Sequence, residues 1–174
     1  MKLLPISLSF TIVALLLTAC ERLPMEEEFA LHYFTSTEGS YTDIKLEQGQ
    51  LTYTYFEDTE NRCAQWFKST PCWTQADLKT VTAPLDAETE KALRNLVNEQ
   101  KLLEAKAVPA ALKTAQGQAS PERAYSEKLD IRLGQNEQQL VYLSRPDAPP
   151  KPESFQQIEQ VLQAAVQKLK IPTT

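Results

Sequence analysis

The chain has 174 residues, 18 basic and 23 acidic side chains, a single histidine and a net charge of −5. A mildly acidic surface with both signs interspersed leaves no electrostatic footprint for nucleic acid and is repelled by anionic headgroups. With four glycines, one histidine and no HExxH, GxSxG, Walker A or GxGxxG pattern, the common metalloprotease, serine hydrolase and nucleotide-binding motifs are excluded.

Lys2 makes the start of the chain basic, and residues 3–19 then carry no charge and are rich in Leu, Ile, Val and Phe. A positive start followed by an apolar run is the layout of an export signal. The run is shorter than the ~20 apolar residues of a spanning helix, and Pro5, Ser7, Ser9 and Thr11 weaken it as a permanent span. It closes on Leu17-Thr18-Ala19-Cys20, a leucine three residues before a cysteine and a small residue directly before it. This stretch resembles the bacterial lipoprotein lipobox. The resemblance implies cleavage after Ala19, diacylglycerol on the Cys20 sulfur and an acyl chain such as palmitate on its new amine. One acyl chain binds a bilayer only marginally, at ~0.8 kcal/mol per buried methylene, so several on Cys20 make a lasting anchor. Glu21 stands where an aspartate would resemble an inner-membrane retention signal, which favours the outer membrane, facing the periplasm. The expected organisation is a signal peptide at 1–19, a lipidated tether at 20–28 and one domain at 29–174. Removing 19 of the 174 residues leaves 155, enough for a real core.

In residues 29–34, Phe29, Leu31 and Tyr33 share one face and Ala30, His32 and Phe34 the other, which predicts a strand. Residues 42–47 alternate again with Ile44 and Leu46 inward, Gln48-Gly49 signals a hairpin, and Leu51, Tyr53 and Tyr55 line one face of a third strand. Residues 57–61 are charged and expected at the surface. Cys63 and Cys72 are an isolated pair, read in an oxidising compartment as one disulfide contributing about 2–3 kcal/mol. Two free thiols or a metal pair are the alternatives; nine-residue spacing is not CxxC, and two thiols with one histidine are few for structural zinc. Between and beside these cysteines stand Trp66, Phe67 and Trp73, which include both tryptophans of the chain. Such rings either plug the sheet edge and cover the core, or form a binding surface, since aromatics are enriched at hot spots and a rigid loop loses little entropy on binding.

Asp86 is a candidate N-cap with Glu88 and Glu90 near the positive end of the helix, and Leu93, Leu96, Val97 and Leu103 give its apolar stripe. Residues 110–123, rich in Ala, Gln, Ser and Pro, read as a loop. Leu129, Ile131 and Leu133 alternate with Asp130 and Arg132. Beyond a turn at 134–137, residues 140–143 read as a second and more buried strand. Four prolines in residues 146–152 make a stiff polyproline-like connection, either a spacer or a ligand for an aromatic-lined groove. Ser154-x-x-Gln157 reads as a capping box on a last helix lined by Phe155, Ile158, Val161, Leu162, Ala165 and Leu169.

This order predicts an α+β domain, an antiparallel sheet of about five strands (meander plus hairpin) with two helices packed on one face. The layout resembles that of small bacterial envelope lipoproteins of unassigned function; the likeness is architectural and transfers no activity. No cofactor, metal or nucleic acid is expected. The partners expected are the membrane, through the N-terminal lipid, and an envelope protein. The function expected first is a non-enzymatic interaction or accessory/inhibitor module. A small-molecule or glycan-binding lipoprotein, its tryptophans stacking on the ligand, comes second. A carboxylate-based envelope hydrolase comes third, and would need a cleft with two inward carboxylates.

Overall fold

The computed structural model describes residues 27–104, 125–144 and 150–170. The readings of the signal peptide, of Cys20 and the tether before residue 27, of the loop at 110–123 and of the proline run at 146–149 lie outside the described residues.

Six strands and two helices follow in the order β1 (Phe29–Ser36), β2 (Tyr41–Glu47), β3 (Gln50–Phe56), β4 (Leu78–Pro84), α1 (Ala87–Glu99), β5 (Tyr125–Leu133), β6 (Asn136–Ser144) and α2 (Glu153–Lys170). The strands form one antiparallel sheet in the order β4-β3-β2-β1-β5-β6. The fold class is α+β as the pattern predicts, but the sheet carries six strands rather than five. The added strand is β4, where Val81 is the one large apolar residue on the core-facing side, opposite Tyr53, while Leu78 at its start stands opposite Phe56 on the other face. An edge strand needs only one inward anchor, so its alternation is too sparse to recognise.

The turns follow from backbone sterics. Gln48 and Gly49 both have positive φ, 50° and 71°, as a two-residue hairpin between right-twisted strands demands. Gly134, at φ 60°, opens the two-residue turn between β5 and β6. In the register of the sheet, Leu31 lies opposite Leu46 and Ile131, and Tyr33 opposite Ile44 and Leu129. The inward residues of these three strands therefore meet in one patch. Leu93, Val97 and Leu102 from the α1 region, with Phe155, Ile158, Leu162, Ala165 and Val166 of α2, join that same buried cluster. The opposite face of the sheet carries His32, Phe34, Asp43, Lys45, Thr52, Thr54 and Asp130 and is half-exposed.

Asp86 is the N-cap of α1, its carboxylate accepting the Thr89 N–H at 2.8 Å. Two details depart from the sequence pattern around α1 and α2. The chain leaves α1 after Glu99, and Lys101 at φ 50° re-aims it, so Leu102 rather than Leu103 becomes the buried residue. Helix α2 begins at Glu153, with Gln156 N–H donating to Pro152 O at 3.1 Å, so Ser154 lies inside the first turn and does not cap it. Strand β6 is not the more buried of its pair: it is an edge, and only Leu140 of the 140–143 run is buried.

Candidate functional site

The stapled loop is the feature that sequence singles out. Cys63 and Cys72 stand at bonding distance, their Cα atoms 5.5 Å apart. The loop base is pinned by several contacts. Asp58 accepts the backbone N–H of Arg62 at 3.0 Å and of Cys63 at 2.8 Å. Arg62 pairs with Asp77 at 2.7 Å and lies over the Phe56 ring. The Arg62 side chain, followed by the Thr74 backbone and hydroxyl, holds the Asp77 carboxyl down at about 2. Cys72 N–H donates to Glu38 O at 2.8 Å and fastens the loop to the turn between β1 and β2.

The three aromatic residues part ways inside this frame. Trp73 turns inward: its indole N–H donates to Thr37 O at 3.1 Å and its ring meets Tyr41 edge-on at 5.0 Å. Tyr41 in turn meets Phe34 at 5.6 Å, so Trp73 caps an aromatic row on the sheet face away from the helices. Trp66 is half-buried, donates to Thr70 O at 2.6 Å and lies under the Lys68 ammonium at 5.0 Å. Phe67 is 92 % exposed, the one large apolar side chain left in solvent among the described residues. The structure thus brings Trp73 to the sheet and leaves Phe67 at the tip.

The chain matches no protein-family model and no curated protein sequence.

Two polar clusters have no local sequence signal. The first surrounds His32, whose Nε2 lies 3.1 Å from Asp43 Oδ1 of β2 and whose Nδ1 lies 3.4 Å from Asp130 Oδ2 of β5. Only the register of three strands makes this trio, because the two aspartates are 87 residues apart in the chain. Each ring nitrogen of His32 thus faces a carboxylate of a neighbouring strand. Beside it runs an open groove of about 550 Å³ lined by Ala30, Glu47, Asp130, Arg132 and Gln139.

The second cluster sits where the sheet meets α2. The single O–H of Tyr33 is shared between Glu127 at 2.9 Å and Glu159 at 3.0 Å, and Lys151 Nζ reaches the same two carboxylates at 2.6 and 2.7 Å. Burial, and then the two neighbouring carboxylates, push the Tyr33 phenol far up. Burial alone would lower the Lys151 ammonium, but its hydrogen bonds to Glu127 and Glu159 hold it above its usual value. These are the two inward carboxylates a hydrolase would require, and each of them faces both the Tyr33 phenol and the Lys151 ammonium. The open groove alongside is lined by Lys151 and Glu159 of this cluster together with Gln156, Gln160 and Gln163. Among the described residues no group of three or more His, Cys, Asp or Glu side chains is arranged to hold a metal ion, and no helix is long and apolar enough to cross a membrane.

Proposed function

We propose that this protein is a bacterial envelope lipoprotein, held by lipid on Cys20, that acts as a non-enzymatic interaction or inhibitor module through the tip of its disulfide loop. The observation that carries this reading is Phe67, fully offered to solvent on a loop whose base is pinned by a Cys63–Cys72 bridge, an Arg62–Asp77 pair and a backbone bond to Glu38. An exposed ring on a stiff loop loses apolar hydration energy in the free protein and recovers it on docking, with little ordering cost. Of residues 64–76 only Lys68 is charged, so the tip is cationic on an acidic body. It suits an apolar pocket edged with carboxylates on an envelope protein. The lipobox supports the location, and Glu21, in place of an aspartate, favours the outer membrane, facing the periplasm.

The glycan-binding reading has less behind it, because the faces and N–H groups of Trp66 and Trp73 are engaged within the protein. Capture from detergent-solubilised envelopes tests the proposal. The wild-type chain should retain a defined protein that Phe67→Ala and Lys68→Glu release, and Cys20→Ala should leave the membrane fraction. An identical set of captured proteins for wild type and Phe67→Ala would remove the loop from the function.

A further inference from the structure

We infer that the outer edge of β6 pairs with a second copy of this chain, the two β6 strands running antiparallel about a two-fold axis normal to the sheet. Strand β6 ends the sheet, and among the described residues β5 is its only ladder partner. Backbone parity shows which of its groups are open. Gly134 N–H donates to Glu28 O at 2.8 Å, so the even-numbered residues of β5 turn their N–H and C=O toward β1 and the odd-numbered ones toward β6. The β5–β6 register then commits Asn136, Gln138, Leu140 and Tyr142 to β5. Glu137, Gln139, Val141 and Leu143 point their backbone groups outward. Among the described residues no strand pairs with this row, whose Gln139 O accepts only the Gln138 side-chain amide at 3.4 Å, and such an edge is a template for another strand.

The two edges of this sheet are treated differently. Strand β4 closes on Pro84 and carries Lys79 in an ion pair with Glu57 at 2.7 Å, the devices that discourage edge pairing. Strand β6 has neither lysine nor proline, keeps an unbroken register along its nine residues and holds the run Leu140-Val141-Tyr142-Leu143. Its one charge is Glu137, near the start. A two-fold axis through the apolar run carries the two Glu137 side chains to opposite ends, roughly 20 Å or more apart at ~3.3 Å per residue, so no like charges meet. The same axis keeps the helices of both copies on one side, and sets Val141 and Leu143 of the two chains together on the other. The joined sheet has β4 at both ends, leaving only protected edges.

Sedimentation velocity on the intact chain over a concentration series is the test. Wild type should sediment as a dimer. Val141→Pro removes an outward N–H that the β5 ladder does not use, and Val141→Lys sets like charges across the axis. Both should raise the dimer dissociation constant about tenfold or more, a difference well within what single edge contacts supply, and Val141→Lys, which asks nothing of the backbone, decides if the proline variant fails to fold. Amide exchange at Val141 and Leu143 should be slow in the wild-type dimer and fast in Val141→Lys. A wild-type monomer at every concentration, variants that dimerise as tightly as wild type, or slow exchange of these amides in a monomer would each overturn the inference.

Discussion

Tyr33 and Asp77 set opposite ends of the pH range in which this domain is stable. The Tyr33 phenol and the Lys151 ammonium both titrate higher in the folded protein than their usual 10.0 and 10.5. The stability they confer is complete below those values and is lost as pH rises through and above them. Asp77 works at the acid end: its carboxyl is held near 2 against the usual 3.8, so its contribution is present above 3.8 and drains away as pH falls toward 2. Denaturant midpoints across pH should show a plateau between about 4 and 10 with a fall on either side. Tyr33→Phe should flatten the alkaline limb and, by removing a hydrogen bond shared between two charged acceptors, cost about 1–3 kcal/mol at neutral pH. An alkaline limb identical to wild type would refute that assignment. Phe67 is the contrasting residue. Its ring touches solvent, so Phe67→Ala should change folding stability by no more than about 0.5 kcal/mol while abolishing capture of the partner.

Individual elements depend on two kinds of support. The stapled loop is tied to the sheet by backbone and side-chain bonds, and the bridge adds to these by restricting the unfolded chain. Replacing both Cys63 and Cys72 by serine should lower unfolding free energy by about 2–3 kcal/mol and leave the far-ultraviolet spectrum of the sheet unchanged. Helix α2 depends on burial. Ile158 is fully buried between helix and sheet, and Ile158→Ala should cost about 2–5 kcal/mol in a denaturant titration. Strands β1, β2, β3 and β5 and the stripe of α2 were legible in the sequence because each alternates or repeats against one deep core. Strand β4 was not, because one valine anchors it. Ser154 mimics a cap only because its hydroxyl type and the spacing to Gln157 fit, while the chain enters the helix one residue earlier. Trp66 and Trp73 were legible as a pair of aromatics, but whether each turned in or out depended on Thr37, Tyr41 and Lys68, which no local pattern connects to them.

Across the whole molecule, the placement of β1 is what the linear order conceals. The first strand of the domain lies in the middle of the sheet, with β2 on one side and β5, about a hundred residues later, on the other. Both polar clusters, around His32 and around Tyr33, exist only because of that long-range pairing. It is why no reading of adjacent residues could have found them. The same placement has a mechanical consequence. If Cys20 is the proposed anchor, its pull enters the described domain at β1, a strand held by ladders on both flanks. The load is shared in shear by many backbone bonds at once, whereas a tether joined to β4 or β6 would peel its strand away one bond after another.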